Sequence, residues 1–322
     1  MILMYSAFAL SAIATIFISI QLSKYADEIQ EQSSVSGVLI GLLLGGATSL
    51  PEITTSVTSV IIDSPNLAIG NVLGSNLFNL LILAVLDLVF RKKRMLQFAS
   101  DENKQYAILV VILSTFVLFS LFFRALYSLF GIGWDTILFV VTYLIGIVII
   151  SKKNTSQETK EKKNKTQPSI KKTIVKFSLL AILIMVFGSI LTISGDRIAV
   201  ITGLGSSFVG SFLIAGSTSL PEAVSVMVAI RLKNYNLAIG SILGSNSFNV
   251  LILSFTDLIY RKGPLLYLAS PSHLITSAAV LLLMFVVSFG IFRPLKNKGY
   301  VIPSIMIVIG YFISSYLLFI YK

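Results

Sequence analysis

The chain has 322 residues, 55% of them hydrophobic and 12% charged, with 25 Lys and Arg against 14 Asp and Glu for a net charge of +11. Soluble domains carry roughly a quarter charged residues, so this composition excludes a water-soluble globule and a disordered chain alike. The basic excess then belongs either to nucleic-acid binding or to the cytoplasmic loops of a membrane protein. With no Cys and a single His, His273, disulfides, thiolate metal centres and multi-histidine sites are excluded as well.

A helix needs about 20 apolar residues to cross a hydrocarbon core of about 30 Å. Ten such runs follow one another, near residues 2–22, 35–61, 66–90, 105–123, 133–151, 173–194, 204–230, 236–260, 272–292 and 300–320. The first lacks the basic flank and small-residue cleavage site of a signal peptide and reads as a span. The runs are continuous rather than alternating in ~10-residue segments, which argues against a transmembrane barrel. Trp134 suits an interfacial anchor, and His273 reads as a loop residue.

With ten spans the loops alternate between two sides, and 20 of the 25 basic residues fall on one of them. The positive-inside rule makes that side cytoplasmic and puts both termini outside. The charge is thereby explained without nucleic acid. Its densest block, residues 151–172, is polar and rich in Lys, and is expected to be a cytoplasmic linker. It divides the chain into residues 1–150 and 173–322.

These halves repeat each other. Residues 46–93 and 216–263 align without a gap at an offset of 170, with 24 of 48 positions identical. Thr48-Ser49-Leu50-Pro51-Glu52 returns as Thr218-Ser219-Leu220-Pro221-Glu222, and Gly74-Ser75-Asn76 with Phe78-Asn79 returns as Gly244-Ser245-Asn246 with Phe248-Asn249. Each half holds five spans, an odd number, so the second copy enters the membrane from the opposite face. The expected fold is an all-α membrane protein of ten transmembrane helices, arranged as two inverted five-helix repeats with broken helices at an ion site. Inverted repeats with matched interrupted helices are the sequence signature of a secondary transporter.

Pro51 and Pro221 lack an N–H and clash with the carbonyl four residues back, so each motif should break its helix near mid-membrane. Carbonyls freed at that depth are tolerated only where they line a cavity or a ligand. Ser49 and Glu52, like Ser219 and Glu222, have capping-box spacing. Glu52 and Glu222 are the only acidic residues deep in the apolar runs. A carboxylate there costs at least a few kcal/mol unless paired, solvated or ligated, and no basic residue lies mid-span to pair with it. Two carboxylates among oxygen ligands suit a hard cation, Ca²⁺ before Mg²⁺. Ser75 and Asn79 share one helix face, as do Ser245 and Asn249. Asn76 and Asn246 are open between an interhelical hydrogen bond and ligation. The Gly70/Gly74 and Gly240/Gly244 pairs suit close helix packing, and Asp87 and Asp257 are expected to pair with Arg91 and Arg261 at span ends.

The doubled TSLPE and GSNxFN motifs resemble the sodium/calcium exchanger family of the cation/calcium antiporter superfamily. The resemblance implies an alternating-access antiporter in which Glu52 and Glu222, with the backbone carbonyls of Thr48 and Thr218, hold Ca²⁺. It implies neighbouring Na⁺ sites at Ser49, Ser219, Ser75, Ser245 and Asn79, and sliding of the first and sixth spans across the other eight. Many exchangers have Gly where Ala47 and Ser217 stand, and sodium/calcium members commonly have Asp where this chain has Asn249.

The expected function is Ca²⁺/Na⁺ exchange in the cell membrane, with Ca²⁺/H⁺ exchange as the alternative. With two carboxylates, two Na⁺ or two protons balance one Ca²⁺, and the counter-ion stays open at this point. A cation channel fits the paired broken helices less well. An intramembrane hydrolase lacks an evident nucleophile constellation. The chain is accordingly expected to be no enzyme and to need no cofactor, with Ca²⁺, a monovalent counter-ion and the lipid bilayer as its partners.

Overall fold

Apolar continuity becomes helix here because lipid offers the backbone no hydrogen-bond partner. The computed structural model describes residues 1–32, 46–124, 128–129, 131–154, 170–293 and 297–321. The helices are α1 (Ile2–Gln32), α2 (Leu50–Ile61), α3 (Pro65–Val89), α4 (Asp101–Phe123), α5 (Trp134–Asn154), α6 (Ile170–Thr202), α7 (Ser206–Thr218), α8 (Leu220–Arg231), α9 (Tyr235–Tyr260), α10 (Ser272–Phe292) and α11 (Ile302–Ile320). Among the described residues eight helices are long and apolar enough to cross a membrane, and α7 with α8, bent by 41° at their junction, makes a ninth if the pair is counted as one span. Residues 35–45 of the second expected span lie outside the described residues. Residues 46–48 are helical, Ser49 is a turn, and α2 follows. Of the Lys-rich segment, residues 151–154 continue α5 and 170–172 begin α6, while 155–169 lie outside the described residues. The strands among the described residues are one two-residue hairpin, in which Leu129 pairs with Ile132.

The molecule is an all-α membrane protein built on two inverted repeats. The third span of each repeat, α3 and α9, lies at the centre; these two are the most deeply buried of the long helices and pack on each other. The first helix of each, α1 and α6, packs along its counterpart and faces mostly outward. Pseudo-symmetry reaches beyond the motif cores. Ser270 N donates to Asn66 Oδ1 at 2.7 Å, and at the offset of 170 Ser100 N donates to Asn236 Oδ1 at 2.9 Å.

Three sequence expectations are corrected. Asp87 and Asp257 do not pair with the arginines four residues on. Asp87 accepts from Tyr300 and, at 2.6 Å, from Ser304. Asp257 accepts from Gly133 N at 2.9 Å, Thr136 Oγ1 at 2.7 Å and Leu265 N at 2.6 Å. Both carboxylates are buried, Asp87 against Tyr300 and Ser304 and Asp257 against the hairpin at Gly133, so fixed donors replace a solvated arginine. His273 is not in a loop but in the first turn of α10, fully buried, with its Nε2 at 3.2 Å from Ser207 Oγ. The capping boxes are not formed, because neither Ser49 nor Ser219 makes a side-chain cap bond.

Candidate cation site

Both helix breaks occur where proline chemistry requires them. Pro51 and Pro221 stand in the first turns of α2 and α8 and cannot donate to the carbonyls of Ala47 and Ser217. The ladder resumes just beyond, with Ile53 N on Ser49 O at 3.0 Å and Ala223 N on Ser219 O at 3.2 Å. Each break therefore removes little hydrogen bonding and turns one serine hydroxyl inward. Ser49 Oγ and Ser219 Oγ are buried and have no hydrogen-bond partner.

One turn on, Glu52 is 1% exposed and Glu222 4%. Both carboxylate oxygens of Glu52 and Oε2 of Glu222 lack a hydrogen-bond partner. The Thr218 and Ser219 side chains of the other repeat flank the Glu52 carboxylate, and the two glutamates are near enough for their charges to repel. The ion pairs among the described residues, Lys104 with Asp101 and Lys262 with Asp63, lie at exposed positions away from them. A buried charge without a partner is strongly unfavourable, so Glu52 and Glu222 would need a positive partner to stay ionised.

The wall facing the breaks comes from α3 and α9. Ser75 Oγ, Asn79 Oδ1 and Asn249 Oδ1 on these helices are also buried and unpartnered, so the motif atoms left over are oxygen acceptors and hydroxyls. Ser245 is buried on α9, four residues before Asn249. Thr48 closes the first helical piece, and Thr218 Oγ1 reaches Asn71 Oδ1 at 3.4 Å and Ala215 O at 3.3 Å. Residues of both motifs, 170 positions apart, thus meet at Glu52, which has Thr218, Ser219 and Glu222 of the other repeat beside it. The open alternative at Asn76 and Asn246 resolves to hydrogen bonding. Asn249 Nδ2 donates to Asn76 Oδ1 at 2.9 Å, Asn79 Nδ2 to Asn246 Oδ1 at 3.0 Å, and Asn246 Nδ2 to Asn76 O at 3.2 Å.

Two polar neighbours were not legible from the repeat. Asn71 bonds Thr55 Oγ1 at 2.7 Å, Ser56 Oγ at 3.1 Å and the carbonyl of Glu52 at 3.3 Å. Ser211 is buried with an unpartnered hydroxyl, within a π-helical stretch of α7, Val209–Ile214. At the offset of 170 these positions hold Ser241 and Gly41, so repeat matching passes over them. Polar side chains in a gap between small-residue pairs were the available signal. The glycines fit as packing residues. A Cβ on Gly74 would come to 2.2 Å from Ser211 O, and one on Gly210 to 2.6 Å from Leu67 O, so α3 and α7 meet backbone to backbone.

A family model described as sodium/calcium exchanger protein matches residues 3–152 and 172–321. The chain belongs to the sodium/calcium exchanger protein family. It is therefore a transporter of the cation/calcium exchanger type and not an enzyme. An uncharacterized membrane protein of Methanocaldococcus jannaschii is 28% identical over 223 residues, covering 69% of this chain and 70% of its own. In fold, the H⁺/Ca²⁺ exchanger CAX superposes with a TM-score of 0.75 at 15% identity, over 98% of this chain and 86% of its own. The sodium-calcium exchanger NCX_Mj does so with a TM-score of 0.61 at 21% identity, over 97% of each chain.

Proposed function

We propose that this exchanger moves Ca²⁺ against Na⁺ by alternating access, with Ca²⁺ held between Glu52 and Glu222. The observation that carries the reading is the set of unpartnered oxygens. Three carboxylate oxygens, the hydroxyls of Ser49, Ser75 and Ser219 and the amide oxygens of Asn79 and Asn249, all from the two repeated motifs, are each buried without a partner. Ca²⁺ takes six to eight oxygen ligands in flexible geometry, and two carboxylates neutralise it. The carbonyls of Thr48 and Thr218 complete the Ca²⁺ ligands, while the serines, Ser245 among them, and the two asparagine amides serve Na⁺. The paired outer helices α1 and α6 are the moving element, sliding across the rest. The 20 basic residues mark the cytoplasmic side of the cell membrane, with both termini outside.

A second reading has protons as the counter-ion. Asn249 favours it, because the third carboxylate common in sodium/calcium members is an amide here. Calcium flux into proteoliposomes under an imposed Na⁺ gradient, set against an imposed pH gradient, separates the two. Na⁺-driven flux is the expected result, and flux that follows pH alone overturns the sodium assignment.

A further inference from the structure

We propose that Asn76 and Asn246 are positioning residues, a reciprocal amide clamp that sets the rotation of the two amides in the cation site; this rests on the site proposed above. The four asparagines are each no more than 1% exposed, and they lie where α3 and α9 cross at the pseudo-two-fold axis. Each helix contributes one amide that accepts and one that donates. Asn249 gives an N–H to Asn76 Oδ1 at 2.9 Å, and Asn79 gives one to Asn246 Oδ1 at 3.0 Å. The third bond, Asn246 Nδ2 on Asn76 O at 3.2 Å, pins the clamp to the α3 backbone.

The consequence lies in what each amide has left. An amide carries two donors on one end and one acceptor on the other. With the NH₂ ends of Asn79 and Asn249 held across the interface, their Oδ1 atoms are the ends left over, and both are buried without a partner. A free amide would turn either end toward the pocket, and its NH₂ end repels a cation. The clamp removes that choice for Asn79, because Asn246 is itself held by the Asn76 carbonyl, and opposes it for Asn249 through Asn76 Oδ1. It also makes Asn249 more than an uncharged stand-in for Asp. A carboxylate at 249 has no proton to give Asn76 Oδ1, so it would need Asn76 to turn its NH₂ end across the interface instead.

The test is Ca²⁺ dependence of exchange in proteoliposomes for Asn76→Leu and Asn76→Asp. Leu removes the acceptor for Asn249, whereas Asp keeps it. Loss of a group that orients a metal ligand costs about 10- to 100-fold in metal affinity. The expected result is a KM for Ca²⁺ raised about tenfold or more in Asn76→Leu, with kcat within about twofold, and a KM in Asn76→Asp no higher than wild type. Should Leu prevent insertion, Asn76→Ser, too short to reach Asn249, reads the same KM. A KM within twofold of wild type in the variant lacking the acceptor, or an equal rise in Asn76→Asp, overturns the clamp. Wild-type protein that moves no Ca²⁺ overturns the exchange reading, and the clamp falls with it. Wild-type exchange with an unchanged Asn76→Leu KM overturns the clamp alone.

Discussion

Ser64 Oγ donates to Asp196 Oδ1 at 2.6 Å, tying the turn between α2 and α3 to the far end of α6. Deeper along the same contact, Thr58 Oγ1 and Ser189 Oγ stand 3.0 Å apart. These bonds join an outer helix to the central scaffold at one end of the molecule. Hydrogen bonds to charged groups are worth about 1.5–3 kcal/mol. Ser64→Ala should therefore loosen the end of α6, seen as faster amide hydrogen exchange over residues 195–202 by about tenfold or more. Unchanged exchange there would show that packing alone holds the helix end.

The charges of Glu52 and Glu222 repel each other, and among the described residues neither makes an ion pair with a basic side chain. Glu222→Gln should raise the thermal midpoint of the Ca²⁺-free protein by a few degrees, about 1 kcal/mol or more. It should also abolish Ca²⁺ exchange and the stabilisation by Ca²⁺, which reaches about 2.7 kcal/mol at a hundred times Kd. Glu52→Gln should do the same. Thermal unfolding with and without Ca²⁺, beside the flux assay, checks all three effects, and persisting flux in both variants removes the two-carboxylate site.

Charge counting predicts electroneutral exchange. With amides at positions 79 and 249, the site holds two carboxylates, balanced by one Ca²⁺ or two Na⁺. A potential of 100 mV is worth about 2.3 kcal/mol per net charge moved. Three Na⁺ per Ca²⁺ would therefore shift the equilibrium Ca²⁺ ratio about 50-fold in a K⁺ diffusion potential, whereas two should leave it unchanged. A clear voltage dependence would require a further cation in the cycle.

Gly74 allows α3 to touch α7, since an added Cβ would lie 2.2 Å from the backbone oxygen of Ser211. Gly216 is different, because its Cβ would meet only the Phe78 ring at an ordinary 3.7 Å. Overpacking a tight contact typically costs about 1–3 kcal/mol. Gly74→Ala should lower the thermal midpoint by several degrees, and Gly216→Ala should leave it nearly unchanged. Equal midpoints would mean that α7 can shift away at no cost.

The amino-acid sequence by itself determined the spans, their inversion and the candidate ligands. Length and hydropathy decide whether a segment spans lipid, proline decides where it breaks, and half identity over 48 positions exposes the repeat. Glu52 and Glu222 stood out as candidates because charge in lipid is costly, whereas Ser49, Ser219, Ser75 and Asn79 became candidates through the resemblance of their motifs to the exchanger family. Partner choice was decided only by the tertiary structure. Asp87 and Asp257 look local, four residues before an Arg, yet their donors come from Tyr300, Ser304, Gly133, Thr136 and Leu265. His273, Asn71 and Ser211 have no identical residue in the other repeat, so matching the two copies passes over them and only the packing shows their burial. The repeat shows all four asparagines but not which of them bond to one another. A hydrogen bond between Asn249 and Asn76 spans 173 positions, and its existence depends on how two helices cross.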